Sequence, residues 1–242
     1  MYDFTGKTAL VTGSTQGIGF AAANALSEHG AKVFIHGGTS MEKCKNAADL
    51  IENSVPVCVD LSRTDAAKEL YAKTGNVDIL ILNASVQFRT PWKDIPGHEF
   101  DTQMQVNLKS ALETMQIYAE NMKNNRWGRI ITIGSVQQSK PHKDMAVYAA
   151  SKCALLSLVK NIGKQLAPYS ITVNNVSPGV ILTPRNDKAL SNPEYRKKVL
   201  DCIPAGYAGT PEDMSGAILL LCSDAGRYII GADLPINGGM SL

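Results

Sequence analysis

The sequence predicts an α/β fold, a doubly wound parallel sheet of about seven strands with helices on both faces. Short apolar runs alternate with segments of helical periodicity along the whole chain. The runs are continuously apolar rather than alternating, which is typical of strands buried on both faces. No Pro/Ser-rich linker, internal repeat or low-complexity segment divides the 242 residues, so residues 1–242 are predicted to form a single domain.

Length, apolar content and flanking residues indicate the individual elements. The predicted strands are 7–12, 31–36, 55–59, 77–83, 129–134, 171–177 and 233–236. The predicted helices are 20–29, 39–52, 65–74, 100–124 and 146–167, and a further helix runs from an N-cap at Thr210 to Cys222. The least regular stretch, about 184–209, is rich in Lys, Arg, Asn and Pro and is predicted to be a substrate loop.

Composition excludes several classes of partner. With 24 basic and 22 acidic side chains, the net charge of +2 is too balanced for a nucleic-acid or membrane-surface binder. The five scattered cysteines fit no zinc spacing, so we expect reduced thiols and no metal site. The N-terminus carries no secretory signal pattern, and the uncharged stretch 165–184 is broken by prolines. We expect a soluble, cytoplasmic protein.

A glycine-rich segment follows the first predicted strand and opens the first helix. Glycines there supply turn geometry and let backbone N–H groups approach a phosphate. A strand-to-helix connection without a ligand is the alternative, but the position after the first strand favours a dinucleotide pyrophosphate. The residues of this predicted site are Gly13, Ser14, Thr15, Gln16, Gly17, Ile18 and Gly19.

Tyr148 and Lys152 lie four residues apart near the start of an apolar helix, so they share one helix face. A nearby ammonium favours phenolate over phenol. Such a tyrosine can give a proton to a carbonyl oxygen or take one from an alcohol. Taken alone, the pair is weak evidence, because this spacing occurs by chance on many helices.

Two further polar residues stand where apolar ones are expected. Ser135 ends the fifth predicted strand, and ligands of open parallel sheets bind beyond the carboxyl ends of strands. Asn107 interrupts the apolar face of the helix 100–124. The alternatives are a serine that caps a turn and an asparagine that satisfies its own helix.

Together, the glycine pattern, Asn107, Ser135, Tyr148 and Lys152 resemble the short-chain dehydrogenase/reductase family over essentially the whole chain. Further matches follow the third and sixth strands and lie near the C-terminus: Asp60-Leu61, the segment 178–183 and Asn237-Gly238-Gly239. The sequences of segments 128–135 and 171–174 look most like those of the 3-oxoacyl-[acyl-carrier-protein] reductase branch.

The resemblance implies a Rossmann fold and an NAD(P)(H)-dependent oxidoreductase that interconverts a ketone and a secondary alcohol. Tyr148 would be the general acid/base, and Lys152 would favour its phenolate and bind the nicotinamide ribose. Ser135 would orient the carbonyl, and Asn107 would anchor a water in a proton relay through Lys152. The small-molecule substrate could be a carrier-bound acyl thioester.

The resemblance also implies cofactor contacts along the strand ends. Asp60 would contact the adenine, Asn83 would lie beneath the ribose, and Thr183 would hold the carboxamide. Ser85 stands where the family has a glycine, and its Cβ narrows the position. The implied residues of these segments are Asp60, Leu61, Asn83, Ala84, Ser85, Tyr148, Lys152, Pro178, Gly179, Ile181 and Thr183.

The residues at the end of the second predicted strand indicate whether the cofactor is NAD(H) or NADP(H). An acidic residue there would bind a ribose 2′-hydroxyl, but Gly37 fills the position. NADP(H) is therefore favoured, with its 2′-phosphate expected at Gly38, Thr39 and Ser40. NAD(H) stays possible, since no arginine is adjacent and Gln16 stands where many NADP-dependent members carry a base. We expect His36 to pack or face solvent.

Three functions remain open. The first is an NADPH-dependent ketone reductase, acting on a 3-oxoacyl thioester or a related ketone; Arg126 matches one carrier-docking position, but Tyr169 occupies the other. The second is an NAD-dependent sugar, polyol or hydroxysteroid dehydrogenase, and the third a non-catalytic dinucleotide-binding protein.

The predicted substrate loop and two predicted helices carry further expectations. Arg185, Lys188 and Arg196 could attract an anionic substrate or could be solvated charges. The resemblance implies a homotetramer assembled through helices 100–124 and 146–167.

Overall fold

The computed structural model describes residues 2–242, except the side chains of Lys188 and Ala189. Seven parallel strands form one sheet, with helices on both sides, in the order β3-β2-β1-β4-β5-β6-β7. The strands are β1 (Thr8–Val11), β2 (Lys32–Gly37), β3 (Ser54–Cys58), β4 (Ile79–Leu82), β5 (Gly128–Ile133), β6 (Ile171–Pro178) and β7 (Asp233–Ile236). The predicted doubly wound fold is confirmed. Strand order reverses between β1 and β4, which opens a crevice at their carboxyl ends.

Nine helices are seen in the described residues, and each predicted helix is among them. They are α1 (Gly17–Glu28), α2 (Met41–Ala48), α3 (Ala66–Thr74), α4 (Gly97–Met104), α5 (Ser110–Asn125), α6 (Ala146–Leu166), α7 (Pro184–Leu190), α8 (Pro193–Leu200) and α9 (Ser215–Cys222). The helix predicted from Thr210 begins as a 3₁₀ turn, Pro211–Met214, and continues as α9.

Alternate side chains of each central strand point to opposite faces and bury two apolar layers. One layer packs against α1 and α9, where Leu26 and Ile218 are fully buried. The other packs against α3, α5 and α6, through side chains such as Met115 and Val159. Burial on both faces explains why the strand segments are continuously apolar.

The predicted helix 100–124 is not continuous. α4 and α5 are joined by a π-helical turn, Gln105–Lys109, in which Asn107 is almost fully buried. π-turns of this kind insert one residue into a helix and often occur at functional sites. The periodicity of the apolar residues alone did not reveal the interruption.

Residues 184–209 are more regular than predicted. α7 and α8 occupy most of residues 184–200, and both begin with proline at the first helical position. The side chain of Asn192 caps α8 by accepting a hydrogen bond from the Tyr195 N–H (2.9 Å). The Asn-Pro-Glu sequence was therefore a helix-start signal rather than a loop signal. We call residues 184–200 the lid.

Across residues 2–242, no helix combines the length and the apolar content that crossing a bilayer requires.

Candidate active site

A cleft with a volume of about 770 Å³ lies at the carboxyl ends of the strands, beneath the lid. Its wall combines the glycine-rich turn, the ends of β2, β4, β5 and β6, and the first turn of α7. The predicted site residues that line it are Gly13, Thr15, Gln16, Gly17, Ile18, Gly38, Thr39, Asp60, Leu61, Asn83, Ala84, Ser85, Ser135, Tyr148, Lys152, Pro178, Gly179, Ile181 and Thr183. The fold therefore brings segments from the whole chain to one cavity.

The glycine-rich turn is tightly packed against the loop after β4. Gly13 has a φ of +64° and Gly17 a φ of +60°, a conformation that side chains disfavour. A Cβ at Gly13 would lie 2.9 Å from the Ala84 Cα, and one at Gly19 would lie 2.5 Å from the Gly13 carbonyl oxygen. The turn can thus exist only with glycines. The bare backbone at the start of α1 forms a cradle that fits a dinucleotide pyrophosphate.

Asn83 braces this turn from β4. Its side-chain amide donates to the carbonyl oxygens of Thr12 (3.0 Å) and Gly13 (2.8 Å). In return, the Thr12 hydroxyl accepts hydrogen bonds from the backbone N–H groups of Asn83 (3.0 Å) and Ala84 (3.1 Å). Asn83 lines the cleft, and its amide is engaged in holding β1 to β4.

His36 has a role that the sequence analysis missed. The side chain is almost fully buried at the end of β2 and lines the cleft. Its Nε2 donates to the Val59 carbonyl (2.9 Å), and its Nδ1 accepts from the Gly13 N–H (3.1 Å). Burial lowers the pKa of His36 to about 4, so the ring is neutral at pH 7. A histidine one residue before Gly37, at the carboxyl end of a strand, was the available signal.

The end of β2 excludes a side chain at position 37. A Cβ at Gly37 would lie 2.7 Å from the Cys44 Sγ and 2.9 Å from the Thr15 methyl group. An acidic residue that recognises a ribose 2′-hydroxyl has no room there. Next to it, Thr39 is exposed and lines the cleft, whereas the Ser40 hydroxyl caps α2 by accepting from the Lys43 N–H (3.2 Å).

Lys152 is almost fully buried beneath Tyr148. Its Nζ donates to the Ile133 carbonyl (2.7 Å) and lies 5.6 Å from the centroid of the Tyr148 ring. Burial, together with the positive charge of Arg185, lowers the pKa of Lys152 to about 7. The amine can therefore gain or lose a proton near neutral pH.

Ser135 follows β5 and also lines the cleft. Its hydroxyl accepts a hydrogen bond from the Gln137 N–H (3.2 Å) and caps a short 3₁₀ turn. The Gln138 side chain accepts from the Ser135 N–H (2.8 Å) and completes a capping box. The capping role and the position in the cleft are therefore compatible.

Asn107 lies behind the cleft. Its Oδ1 accepts from the Val86 N–H (2.8 Å), and its Nδ2 donates to the Val86 carbonyl (2.9 Å) and to the Ser151 hydroxyl (3.1 Å). The Ser151 hydroxyl in turn donates to the Tyr148 carbonyl (2.7 Å). This amide thus ties the loop after β4 to the turn of α6 that carries Tyr148.

Four predicted site residues do not line the cleft. Ser40 and Asn107 make the contacts just described. The buried Ser14 hydroxyl donates to the Val11 carbonyl (2.7 Å) and accepts from the His36 N–H (2.9 Å). Gly19 packs against Gly13. Each of the four holds a neighbour of the cleft in place.

Ser85, which departs from the family pattern, contacts the lid. The Arg185 guanidinium donates to the Ser85 hydroxyl (3.0 Å) and to the Ser85 carbonyl (2.7 Å). The Ser85 side chain, which was expected to narrow the cofactor site, thus also provides one of two hydrogen-bond acceptors for Arg185 of the lid.

Comparison with known proteins identifies the family. The family model described as Enoyl-(Acyl carrier protein) reductase matches residues 13–241. This chain belongs to the short-chain dehydrogenase/reductase family. Membership confirms the resemblance found in the sequence. It makes the chain an oxidoreductase of the type that interconverts CH–OH and C=O groups with NAD(P).

Relatives cover nearly the whole chain. The 3-oxoacyl-[acyl-carrier-protein] reductase of Rickettsia prowazekii is 36% identical over 242 residues, with 99% of each chain covered. A structure of 3-oxoacyl (acyl-carrier-protein) reductase from Agrobacterium tumefaciens C58 with NADP bound has a TM-score of 0.94 at 32% identity, covering 98% of this chain and 95% of the other. A gluconate 5-dehydrogenase from Burkholderia cenocepacia J2315, in complex with NADP and tartrate, has a TM-score of 0.91 at 30% identity, covering 99% and 96%.

Proposed function

We propose that this short-chain dehydrogenase/reductase is an NADPH-dependent ketone reductase, with Tyr148 as the proton donor. One observation carries the proposal. Tyr148 and Lys152, on one turn of α6, line the same cavity as the glycine-rich turn that fits a pyrophosphate. A protein that only binds a dinucleotide does not need a phenol and a buried amine at that place.

In the proposed reaction, the bound nicotinamide supplies the hydride to the carbonyl carbon. Ser135 holds the carbonyl oxygen from the end of β5, and Tyr148 gives that oxygen its proton. Lys152, whose pKa of about 7 places it between its charged and neutral forms, returns a proton to Tyr148. Asn107 positions Tyr148 through Ser151.

Four observations support NADP(H) over NAD(H). Position 37 has no room for an acidic side chain, and Thr39 faces the cleft beside Gly38. Lys43 and Lys45 are exposed on α2, which follows Gly38, Thr39 and Ser40 in the chain, and would add positive charge near a 2′-phosphate held there. The two related structures described above hold NADP.

For the substrate, we propose a 3-oxoacyl thioester or a related ketone. Full-length similarity to 3-oxoacyl-[acyl-carrier-protein] reductases supports the thioester. Docking of a carrier protein has weaker support. The Arg126 guanidinium donates to the Pro168 carbonyl (3.0 Å), and the second docking position is Tyr169 rather than a base.

Oxidation of a sugar acid or polyol is the second candidate. The gluconate 5-dehydrogenase likeness supports it, and the same Ser135, Tyr148 and Lys152 could serve an alcohol.

For assembly and location, we propose a cytoplasmic homotetramer in which α5 and α6 form the contacts. Sedimentation of the purified protein tests the tetramer.

The first experiment titrates the purified protein with NADPH and NADH side by side and follows nucleotide fluorescence. We expect NADPH to bind more tightly, followed by NADPH oxidation on addition of acetoacetyl thioesters or simple ketones. Tighter NADH binding would refute the proposed cofactor preference and direct assays to alcohol oxidation. Binding without turnover of any carbonyl or alcohol would favour the non-catalytic alternative.

A further inference from the structure

Two arginines join the lid to the body of the protein in opposite directions across the cleft. Arg185 of α7 reaches down to Ser85 in the loop after β4, with bonds of 3.0 and 2.7 Å. Arg89 of that same loop reaches up to the Tyr195 hydroxyl of α8 (3.1 Å), and its guanidinium carbon lies 5.8 Å from the centroid of that ring. Both arginines line the cleft where the loop after β4 faces the lid. We call this part the substrate side, and the part formed by the glycine-rich turn and the ends of β2 and β3 the cofactor side.

Among the described residues, no carboxylate forms an ion pair with either of these arginines. Their hydrogen-bond partners are a hydroxyl, a carbonyl and a phenol, all neutral. None of the ion pairs found among the described residues includes Arg89, Arg185 or Lys198, which also lines the cleft. The one carboxylate of the described lining is Asp60, which follows β3 on the cofactor side.

A guanidinium has five N–H donors, and planar carboxylates or phosphates are its preferred partners. Arg185 uses two of its nitrogens on Ser85, and Arg89 uses one on Tyr195, so donors remain for a ligand. The charge of Arg185 also acts inside the cleft, since it helps to lower the pKa of Lys152.

We propose that Arg89 and Arg185 form an anion-binding site under the lid that holds a carboxylate of the substrate. This inference rests on the proposed ketone reductase and selects, between the thioester and the related ketones proposed above, ketones that carry a carboxylate: oxo acids, with hydroxy acids as products. The anion takes the place of the missing counter-charge and bridges the loop after β4 to the lid.

The test compares oxo acids with their methyl esters, which have the same carbonyl but no charge. The pairs are acetoacetate, 4-oxopentanoate and 5-oxohexanoate, each with its ester, assayed for kcat/KM with NADPH. We expect the acid of at least one pair to be preferred by about 5- to 30-fold, the range for a charge-assisted contact weakened by solvent. Because exposed charges are screened, this preference should decrease as potassium chloride is raised.

Variants assign the effect to the arginines. Arg89→Gln and Arg185→Gln should each lower the acid-to-ester ratio, and the double variant should bring it close to one. Arg196→Gln is the matched control, because Arg196 is exposed on α8 but does not line the cleft. Its ratio should match the wild type, although it removes the same charge from the lid.

Other outcomes overturn the inference. Equal kcat/KM for every acid and ester would refute it and leave the reductase intact. Weaker NADPH binding in the glutamine variants, with an unchanged acid-to-ester ratio, would assign the arginines to a cofactor phosphate. If neither member of any pair is reduced, and no acetoacetyl thioester is reduced either, the proposed function fails. In that case the anion site is tested by binding: the melting temperature of the NADPH complex is measured with 4-oxopentanoate and with its methyl ester. Equal increases in melting temperature would refute the anion site.

Discussion

The cofactor side and the substrate side of the cleft differ in how their polar groups are held. On the cofactor side, Thr12 and Asn83 hydrogen-bond to each other, and Asn83 and His36 hydrogen-bond to the backbone of Gly13, all through partly buried contacts. On the substrate side, Arg89 and Arg185 are exposed and contact neutral groups across the cleft.

This difference separates binding by a preformed backbone from binding by exposed side chains. Buried, mutually satisfied groups lose much when one partner is removed, because the other is left without a hydrogen bond. Exposed arginines lose little by changing partner, so they can adapt to a ligand. We therefore expect the cofactor side to be rigid and intolerant of substitution, and the substrate side to set specificity.

Replacing Tyr148 with phenylalanine gives the largest expected effect and tests whether the two sides are separable. The variant Tyr148→Phe keeps the packing of the ring but loses the proton donor. We expect kcat to fall at least about a hundredfold, the typical value for general acid catalysis, with NADPH affinity little changed. Rapid-mixing kinetics and fluorescence titration measure the two quantities. Turnover at the wild-type rate would remove Tyr148 from the mechanism.

Lys152 lies where the two sides meet, and its titration tests the effect of burial. The folded protein holds its pKa at about 7, against 10.5 for the free side chain, so between these pH values the unfolded chain binds more protons. Stability due to this group should therefore rise with pH across that window. Lys152→Met removes the effect.

The comparison uses urea unfolding of the cofactor-free wild type and Lys152→Met at about pH 7.5 and pH 9. From a slope of about 1.4 kcal/mol for each pH unit, the wild type should gain about 2 kcal/mol relative to the variant. A difference in unfolding free energy that stays constant with pH would show that burial does not change the lysine pKa.

Gly19→Ala tests the rigidity of the cofactor side. The added Cβ would lie 2.5 Å from the Gly13 carbonyl oxygen and from the Asn83 Nδ2, so the turn must shift. We expect NADPH affinity to fall about tenfold or more, a loss of about 1.4 kcal/mol. Gly216→Ala in α9 is the control, since no atom lies within 4 Å of its added Cβ. Equal affinity in both variants would show that the turn adapts.

At pH 7, His36→Ala gives the smallest expected effect. The pKa of His36 is lowered from 6.5 to about 4, so wild-type stability should be lost as the pH falls from about 6.5 towards 4. His36→Ala should lower stability by about 1 kcal/mol at pH 7 by leaving the Gly13 N–H without its acceptor. The variant should also be less sensitive to acid across that window. His98→Ala, at an exposed position of α4, should resemble the wild type in both respects.

The sequence was sufficient to predict the seven strands, the helices between them outside the lid, and the segments that meet at the cleft. Apolar periodicity and glycine position are local properties, because backbone geometry imposes them within a few residues. The π-turn at Asn107 and the helices of the lid were missed. The first depends on contacts with Val86 and Ser151. Of the lid helices, α8 has a start signal in Asn192-Pro193, but asparagine and proline are also typical of loops.

By itself, the sequence determined the family, the fold and the residue types available for chemistry. Tertiary structure decided what those residues contact. Ser85 and Arg185 are 100 residues apart in the chain and meet only across the folded cleft. Likewise, Lys152 titrates near neutral pH because the sheet and α6 bury it. Solvation and charge depend on all neighbours in space, which a pattern along the chain does not contain.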